Sequence, residues 1–431
     1  MQEKADFWDV VVVGGGPAGY FAAIRCAGLG LERGKSLKIL ILERARRSLG
    51  KVIISGGERC NVTNACFDPV KLVTFYPRGG QALRGPFSRF QPRDTVDWFE
   101  ERGVRLKTEA DGRMFPVTDS SLTIVNCLMD AAEEAGVSIW NGAGLTGIQP
   151  GAGEGGGRFQ LRLRREGLEQ EQWLAAESVL FASGSDSHCL ELINNLGHTI
   201  IEPVPSLFTF KINDKRLSEL AGVAVTDASL WFVDEAGRKP VPGQKGALLI
   251  THWGLSGPVT LKLSAWAASW LAEHEYHADL LVNWLGNLSS DQALDVITAY
   301  RQQPGNNRRK PAAAPVFESI PIRLWKRLTE AAGITEMQNW ADVSKGSMRR
   351  LAEELCAGRY QVEGRGMFKD EFVTCGGVKL GEVNFRDMQS RVVPGIFFAG
   401  EVLDIDGLTG GFNFQNAWTT GWLAGTGLAG G

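Results

Sequence analysis

Six residues near the N-terminus, Gly14-Gly-Gly-Pro-Ala-Gly19, have the types and spacing to cradle a diphosphate. In a G-x-G-x-x-G turn Gly14 makes the tight bend, Gly16 lets backbone approach the pyrophosphate, and Gly19 lets a helix pack on a strand. Pro17 and Ala18 complete the turn, whose anion rests on amides at the positive end of a helix dipole. An acid, Glu43, follows 29 residues after Gly14 and suits the hydrogen bonds of a ribose diol. That spacing exceeds the usual ~20, and the polar stretch 32–36 accounts for the excess as a loop. A solvated carboxylate at a strand end is the alternative.

These groups need a strand, a helix and a second strand to hold them. The β-branched run 9–13 suits a buried parallel strand, 20–27 a helix, and 37–42 the next strand. Such a βαβ unit does not distinguish NAD from FAD. Two distant segments favour FAD. Residues 178–184 form an apolar strand ending in the small residues Ala182, Ser183 and Gly184. Residues 395–401 form another, ending Gly400-Glu401, followed by the glycine-rich turn Gly410-Gly411-Phe412-Asn413 and a helix over 414–428. A second glycine turn feeding a helix N-terminus suits the pyrimidine edge of a flavin. An ordinary strand–turn–helix is the other reading of that segment.

With 431 residues the chain has room for two to three domains. Its 53 glycines exceed the roughly 30 expected at ~7% of positions, yet there is no collagen-like period. Lys plus Arg total 46 against 49 Asp plus Glu, a net charge of −3, so attraction to nucleic acid or an anionic membrane is not expected. Seven cysteines without a C-x-x-C pair fit reduced thiols in a cytoplasmic protein. The first apolar run is too short to span a membrane, and there is no secretory signal pattern.

Several segments together resemble the YhiN/BaiN-type family of NAD(P)/FAD-dependent oxidoreductases, some of whose members are described as aminoacetone oxidases. Beside the first glycine turn they are Ser55-Gly-Gly-Glu-Arg-Cys-Asn-Val-Thr-Asn64, Thr251-His-Trp-Gly-Leu-Ser-Gly-Pro258, Thr374-Cys-Gly-Gly-Val378 and the run from Ala399 to Gln415. The resemblance implies an α/β fold: a Rossmann-like FAD-binding domain split by an inserted β-plus-helical cap. Residues 1–203 and 371–431 then form the FAD domain and 204–370 the cap. Within the cap, 208–212, 229–233 and 247–250 read as strands, 261–272, 291–300 and 348–355 as helices, and 306–315 as an exposed loop. Residues 151–157, with five glycines, read as a flexible hairpin loop before a strand over 159–163. The resemblance also implies that Arg59, Cys60, Asn61 and Thr63 contact FAD, and Arg44 and Lys51 join the candidate cofactor-binding set. One departure stands out: the family's third consecutive glycine before Arg-Cys-Asn is Glu58 here. If that position needs φ > 0, Glu costs ~1 kcal/mol or more.

With a flavin carrying the electrons, protein groups position and tune it, and no triad or metal cluster is required or expected. Cys60 is either a small packing residue or a redox thiol, the nearest cysteine being six positions on at Cys66. His252, one of five histidines, lies between a strand and a turn, where it is a candidate acid/base or a hydrogen-bonded structural residue. Trp266 with Trp270, and Trp418 with Trp422, are four apart and read as core. The short basic clusters 308–310 and 349–350 read as solvated faces. The leading expectation is a cytoplasmic FAD-dependent oxidoreductase of a small organic substrate, an oxidase of an amine or amino ketone. The alternative is a reductase of an enone or related carbonyl, with NAD(P)H docking transiently as electron donor. A flavin-binding RNA-modifying protein and a non-catalytic nucleotide sensor are rivals.

Overall fold

A computed structural model describes residues 6–151, 157–168, 170–366 and 373–430. Most of the glycine-rich loop over 151–157 lies outside the described residues. Two compact units make up the chain: Met1–Pro203 with Thr374–Gly431, and Val204–Val373.

The first unit is built on a parallel sheet. Strand β1 (Asp6–Val13) pairs with β2 (Ile39–Glu43) on one side and Gln172–Phe181 on the other. Ser138–Asn141 extends the sheet beyond β2, and Ile396–Phe398 joins beyond Gln172–Phe181, all parallel. Val10–Val13 and Ile39–Leu42 are wholly buried, as continuous apolar runs in a two-sided parallel sheet must be. Antiparallel strands Ala143–Pro150 and Phe159–Arg165 attach at Gln172–Phe181 and make the sheet mixed. Helix α1 (Pro17–Glu32) packs along the C-terminal helix Phe412–Leu428. Gly421 and Gly425 permit that contact, since a Cβ there would lie 2.6 Å from the Ala18 carbonyl oxygen and 2.4 Å from that of Ala22.

The second unit is a closed six-stranded barrel with helices. Its strands run Phe210–Lys211, Gly254–Ser256, Gln244–Ile250, Ala224–Val233, His277–Asn283 and Gly358–Arg365 around the barrel. Pro258–Glu273, Ser290–Gln302, Ile322–Ala331 and Lys345–Ala357 are helical. Barrel and helices share one core, in which Trp284, Trp325 and Trp340 are fully buried.

Three barrel strands were not anticipated: Gly254–Ser256, which has only three residues, and the longer His277–Asn283 and Gly358–Arg365, which pair with each other. The expected exposed loop over 306–315 is exposed at 307–310 and 313–314, but it holds two short 3-10 turns that bury Asn306, Pro311 and Ala312. The C-terminal helix begins at Phe412, two residues before its expected start. Among the described residues no helix is long and apolar enough to cross a membrane.

Candidate functional site

The N-terminal glycine turn shows its three tasks as distances. A Cβ on Gly14, whose φ is +115°, would stand 2.4 Å from the Ala182 carbonyl oxygen. One on Gly19 would meet the Gly14 carbonyl oxygen at 2.1 Å. On Gly16 a Cβ would meet nothing within 4 Å, so its backbone faces open space at the head of α1. No side chain caps α1, which starts on Pro17, and its first amides are left to an external acceptor.

Glu43 holds this turn. One carboxylate oxygen accepts from Gly15 N at 2.9 Å and the other from Ala45 N at 2.7 Å. Each oxygen keeps a lone pair for a hydroxyl. Next to it Arg44 pairs with Asp186 at 2.7 Å, and Ala182 N donates to Val13 O at 2.8 Å. The tips of three strands therefore meet at Gly14, Glu43 and Ala182.

A second group forms around Gly184, which takes φ +62°. A Cβ there would lie 3.5 Å from Glu401 and 3.8 Å from Lys51, two side chains that are ion-paired although 350 positions apart. Glu401 also accepts from Thr374 N at 3.2 Å, and Gly400 N donates to Thr420 Oγ1 at 2.9 Å. Gly400 abuts Ala18, where a Cβ would fall 2.9 Å from the alanine methyl. Buried and without a hydrogen-bond partner nearby are Thr374 Oγ1 and Asn416 Oδ1, the latter one turn before Thr420. Ser183, next to Gly184, likewise buries its hydroxyl against the Cys189 thiol.

The third group joins the 55–64 stretch to the C-terminal helix. Thr63 Oγ1 donates to Gln415 Oε1 at 2.6 Å, Asn64 Nδ2 to Gly410 O at 3.0 Å, and Trp418 Nε1 to Val62 O at 2.9 Å. Gly411 caps the helix at φ +90°, with room for no Cβ: Thr63 O is 2.4 Å away. Phe412 stacks on Phe75 at 4.4 Å, and the Asn413 amide clamps the Gly407 peptide through bonds of 2.8 and 2.9 Å. The short strand Thr63–Asn64 is tied by Met114 and Arg113 of Arg113–Pro116. Asn61 N borders Gly56, 3.0 Å from where its Cβ would be.

Other residues of that stretch are engaged locally. Arg59 pairs with Glu109 at 2.8 Å and Asp119 at 3.5 Å and lies 4.0 Å over the Phe115 ring. Cys60 is completely buried, and burial pushes its thiol up to about 12, so it is neutral and unsuited to redox attack at neutral pH. Gly56, Gly57 and Glu58 are three successive left-handed residues, with φ +58°, +66° and +64°. Glu58 therefore bears the strain its position implies. Glu58→Gly is expected to stabilise the fold by about 0.5–1 kcal/mol, the relieved strain less the extra chain entropy of glycine. A denaturant midpoint at or below wild type would contradict this.

His252 lies in the second unit, in the turn between Gln244–Ile250 and Gly254–Ser256. Its side chain is exposed and makes no hydrogen bond among the described residues, so the hydrogen-bonded structural role is corrected. Absent from the sequence reading were Arg78, which grips Asp406 through two contacts, and Tyr76, whose hydroxyl donates to Phe412 O at 2.7 Å. Their partners lie more than 300 positions away, and only the run Arg78-Gly-Gly80 hinted at a special turn.

The cradle fits a long phosphate-bearing dinucleotide: one bare helix head, one acid for a diol, and buried polar atoms awaiting partners. Fold and site define a Rossmann-type FAD-dependent oxidoreductase. More narrowly, a family model described as the HI0933-like protein Rossmann domain matches residues 8–427, and the chain belongs to that family. It is 26% identical over 423 residues to the ribosomal RNA dihydrouridine synthase of Escherichia coli K12, covering 96% of each chain. It is also 26% identical over 426 residues to the 3-dehydro-bile acid delta(4,6)-reductase of Clostridium scindens, covering 97% of this chain and 98% of that one. In fold it is similar to a 3-ketosteroid-delta4-(5alpha)-dehydrogenase from Rhodococcus jostii RHA1, with a TM-score of 0.53 and 16% identity over 100% of this chain and 98% of that one.

Proposed function

We propose that this FAD-dependent oxidoreductase is a reductase that saturates a C=C bond conjugated to a carbonyl, in preference to an amine or amino-ketone oxidase. One observation carries the reading. Two relatives that match nearly end to end are named for such reductions, one of double bonds in a 3-oxo steroid acid, the other of uridine to dihydrouridine. Both substrates present the same conjugated unit. What FAD supplies when bound is the transfer of an electron pair, with NAD(P)H as donor.

The chain's own residues bind and orient. In this reading Gly14, Gly16, Pro17, Ala18 and Gly19 give the diphosphate its amides, and Glu43 takes the ribose diol. Ala182, Ser183, Gly184, Lys51, Gly400 and Glu401 line the middle of the cofactor. Gly411, Phe412 and Asn413 shape the head of the C-terminal helix, which has Gly411 as its N-cap and no side-chain cap, and whose positive end suits an electron-rich ring edge. Asn61 and Thr63 approach from the facing stretch; Arg44, Arg59 and Cys60 act by holding that surface in place. His252, in the second unit, is by its residue type the candidate acid/base.

Anaerobic NADPH is expected to bleach the flavin, and 2-cyclohexen-1-one to restore its colour without oxygen. Bleaching by aminoacetone but not by NADPH would overturn the reading in favour of the oxidase. His252→Gln is expected to slow enone turnover about 100-fold or more while leaving bleaching by NADPH unchanged. Equal losses in both half-reactions would remove the histidine from proton transfer.

A further inference from the structure

Around the turn that ends the short helix Gly50–Glu58, charged side chains pair off and one carboxylate is left over. Arg59 pairs with Glu109 and Asp119, Arg113 with Glu109 and Asp111, and Lys107 with Asp119. Three cations thus answer three acids. Glu58 is exposed, and among the described residues it makes no hydrogen bond and no ion pair. Arg59, next to it in sequence, is engaged with Glu109 and the Phe115 ring and does not neutralise it. The free carboxylate is held at a cost. With φ +64° Glu58 is the last of three left-handed residues, a conformation that Gly56 and Gly57 take freely and an L side chain does not. Backbone strain of this kind gathers at ligand sites, and the exposed Glu58 side chain holds nothing in place.

Position says which ligand this charge meets. The helix begins at the diphosphate turn, where Leu49 N donates to Gly15 O at 2.8 Å. Two residues on, Lys51 pairs with Glu401 beside Gly184. Past its far end the chain reaches Thr63 and Asn64, which bond Gln415 and Gly410 at the head of the C-terminal helix. The helix therefore follows the cradle from the diphosphate toward the end given to the flavin ring, and Glu58 stands at that ring end. A Cβ on neighbouring Gly57 would meet nothing within 4 Å, so the turn is open there.

We propose that Glu58 selects the substrate by charge, drawing an organic cation, such as an enone that bears an ammonium group, to the flavin and turning anions away. The proposal rests on the reductase reading for the enone alone; the charge acts on any molecule that stacks at the ring. An unpaired carboxylate at an open turn attracts a cation and repels an anion by similar amounts, so both effects add in the ratio of the two.

The test measures kcat/KM of the FAD-loaded full-length protein, at low salt, for two derivatives of 2-cyclohexen-1-one, one with a trimethylammonium group and one with a carboxylate. Wild type is expected to prefer the cation about tenfold or more, and to lose most of that preference at high salt. Glu58→Gln keeps the side chain and its strain but not the charge, and should bring the ratio close to one. Glu58→Gly, which removes both, should do the same, while Glu58→Asp should retain the preference. No preference in wild type, a preference that survives in Glu58→Gln, or an equal loss in Glu58→Asp overturns the proposal. The same two compounds are also titrated into the oxidised protein without reductant, with binding read from the flavin absorbance. Tighter binding of the cation without reduction of either compound overturns the reductase reading and leaves the charge selection standing. Equal binding of the two overturns the charge selection, whatever is reduced.

Discussion

Gly16→Ala is expected to fold as well as the wild-type chain and to lose FAD, whereas Gly19→Ala is expected to damage the fold itself. Gly16 has φ −89° and ψ −176°, a conformation alanine adopts freely, and its Cβ would point into open space. Removing a glycine's unfolded-state freedom should even stabilise the apoprotein by about 0.4–1 kcal/mol. The added methyl stands where the cofactor's phosphates must reach backbone amides, and a loss of about 100-fold in FAD affinity, ~2.7 kcal/mol, is the expected result. At Gly19 the methyl would sit 2.1 Å from the Gly14 carbonyl and 3.1 Å from Val12 Cγ1. Neither neighbour can yield without parting β1 from α1, so a loss of about 3 kcal/mol is expected. Denaturant melts of the apoproteins and FAD titrations by fluorescence quenching separate the two. Wild-type FAD affinity in Gly16→Ala would place the diphosphate elsewhere.

That pair of variants also shows what could be read in the residues before the structure. The tasks of Gly14, Gly16 and Gly19 are local: each follows from where a strand ends and a helix begins within six positions. The strain at Glu58 was anticipated through the family resemblance, which implies a third glycine at that position. Contacts between distant segments were not. Nothing near Thr63 announces Gln415, and nothing near Lys51 announces Glu401, because their register is set only when the Thr374–Gly431 segment returns to the sheet. The barrel of the second unit was missed in half its strands: Gly254–Ser256 has only three residues, and His277–Asn283 and Gly358–Arg365 pair with each other across some 80 positions. Net charge carries no position: a sum over 431 residues hides a +6 segment of fifty.

Arg78→Met is expected to cost about 3–5 kcal/mol in the unit that holds the cofactor, although neither Arg78 nor its partner lies in the glycine motifs. Asp406 has no exposed surface, and Arg78 meets both its oxygens, Nε to Oδ1 at 2.5 Å and Nη2 to Oδ2. Losing the guanidinium leaves a buried carboxylate with too few partners, and the chain must either protonate it or open to water. Both residues sit on loops that shape the head of the C-terminal helix. Gly79 touches Ile405 so closely that a Cβ would fall 2.4 Å from Cγ1, and Tyr76 donates to the Phe412 carbonyl. The same substitution should therefore loosen FAD, detected as flavin fluorescence released at lower denaturant. Removing both charges, as Arg78→Met with Asp406→Leu, should recover most of the stability, because an ion pair replaced by packed apolar groups leaves nothing unpaired. Recovery of stability without recovery of FAD affinity would show that the pair orients the loop for its ligand as well as holding it in place. A single variant within about 1 kcal/mol of wild type would mean that water already reaches Asp406 and that the pair does not hold these loops together.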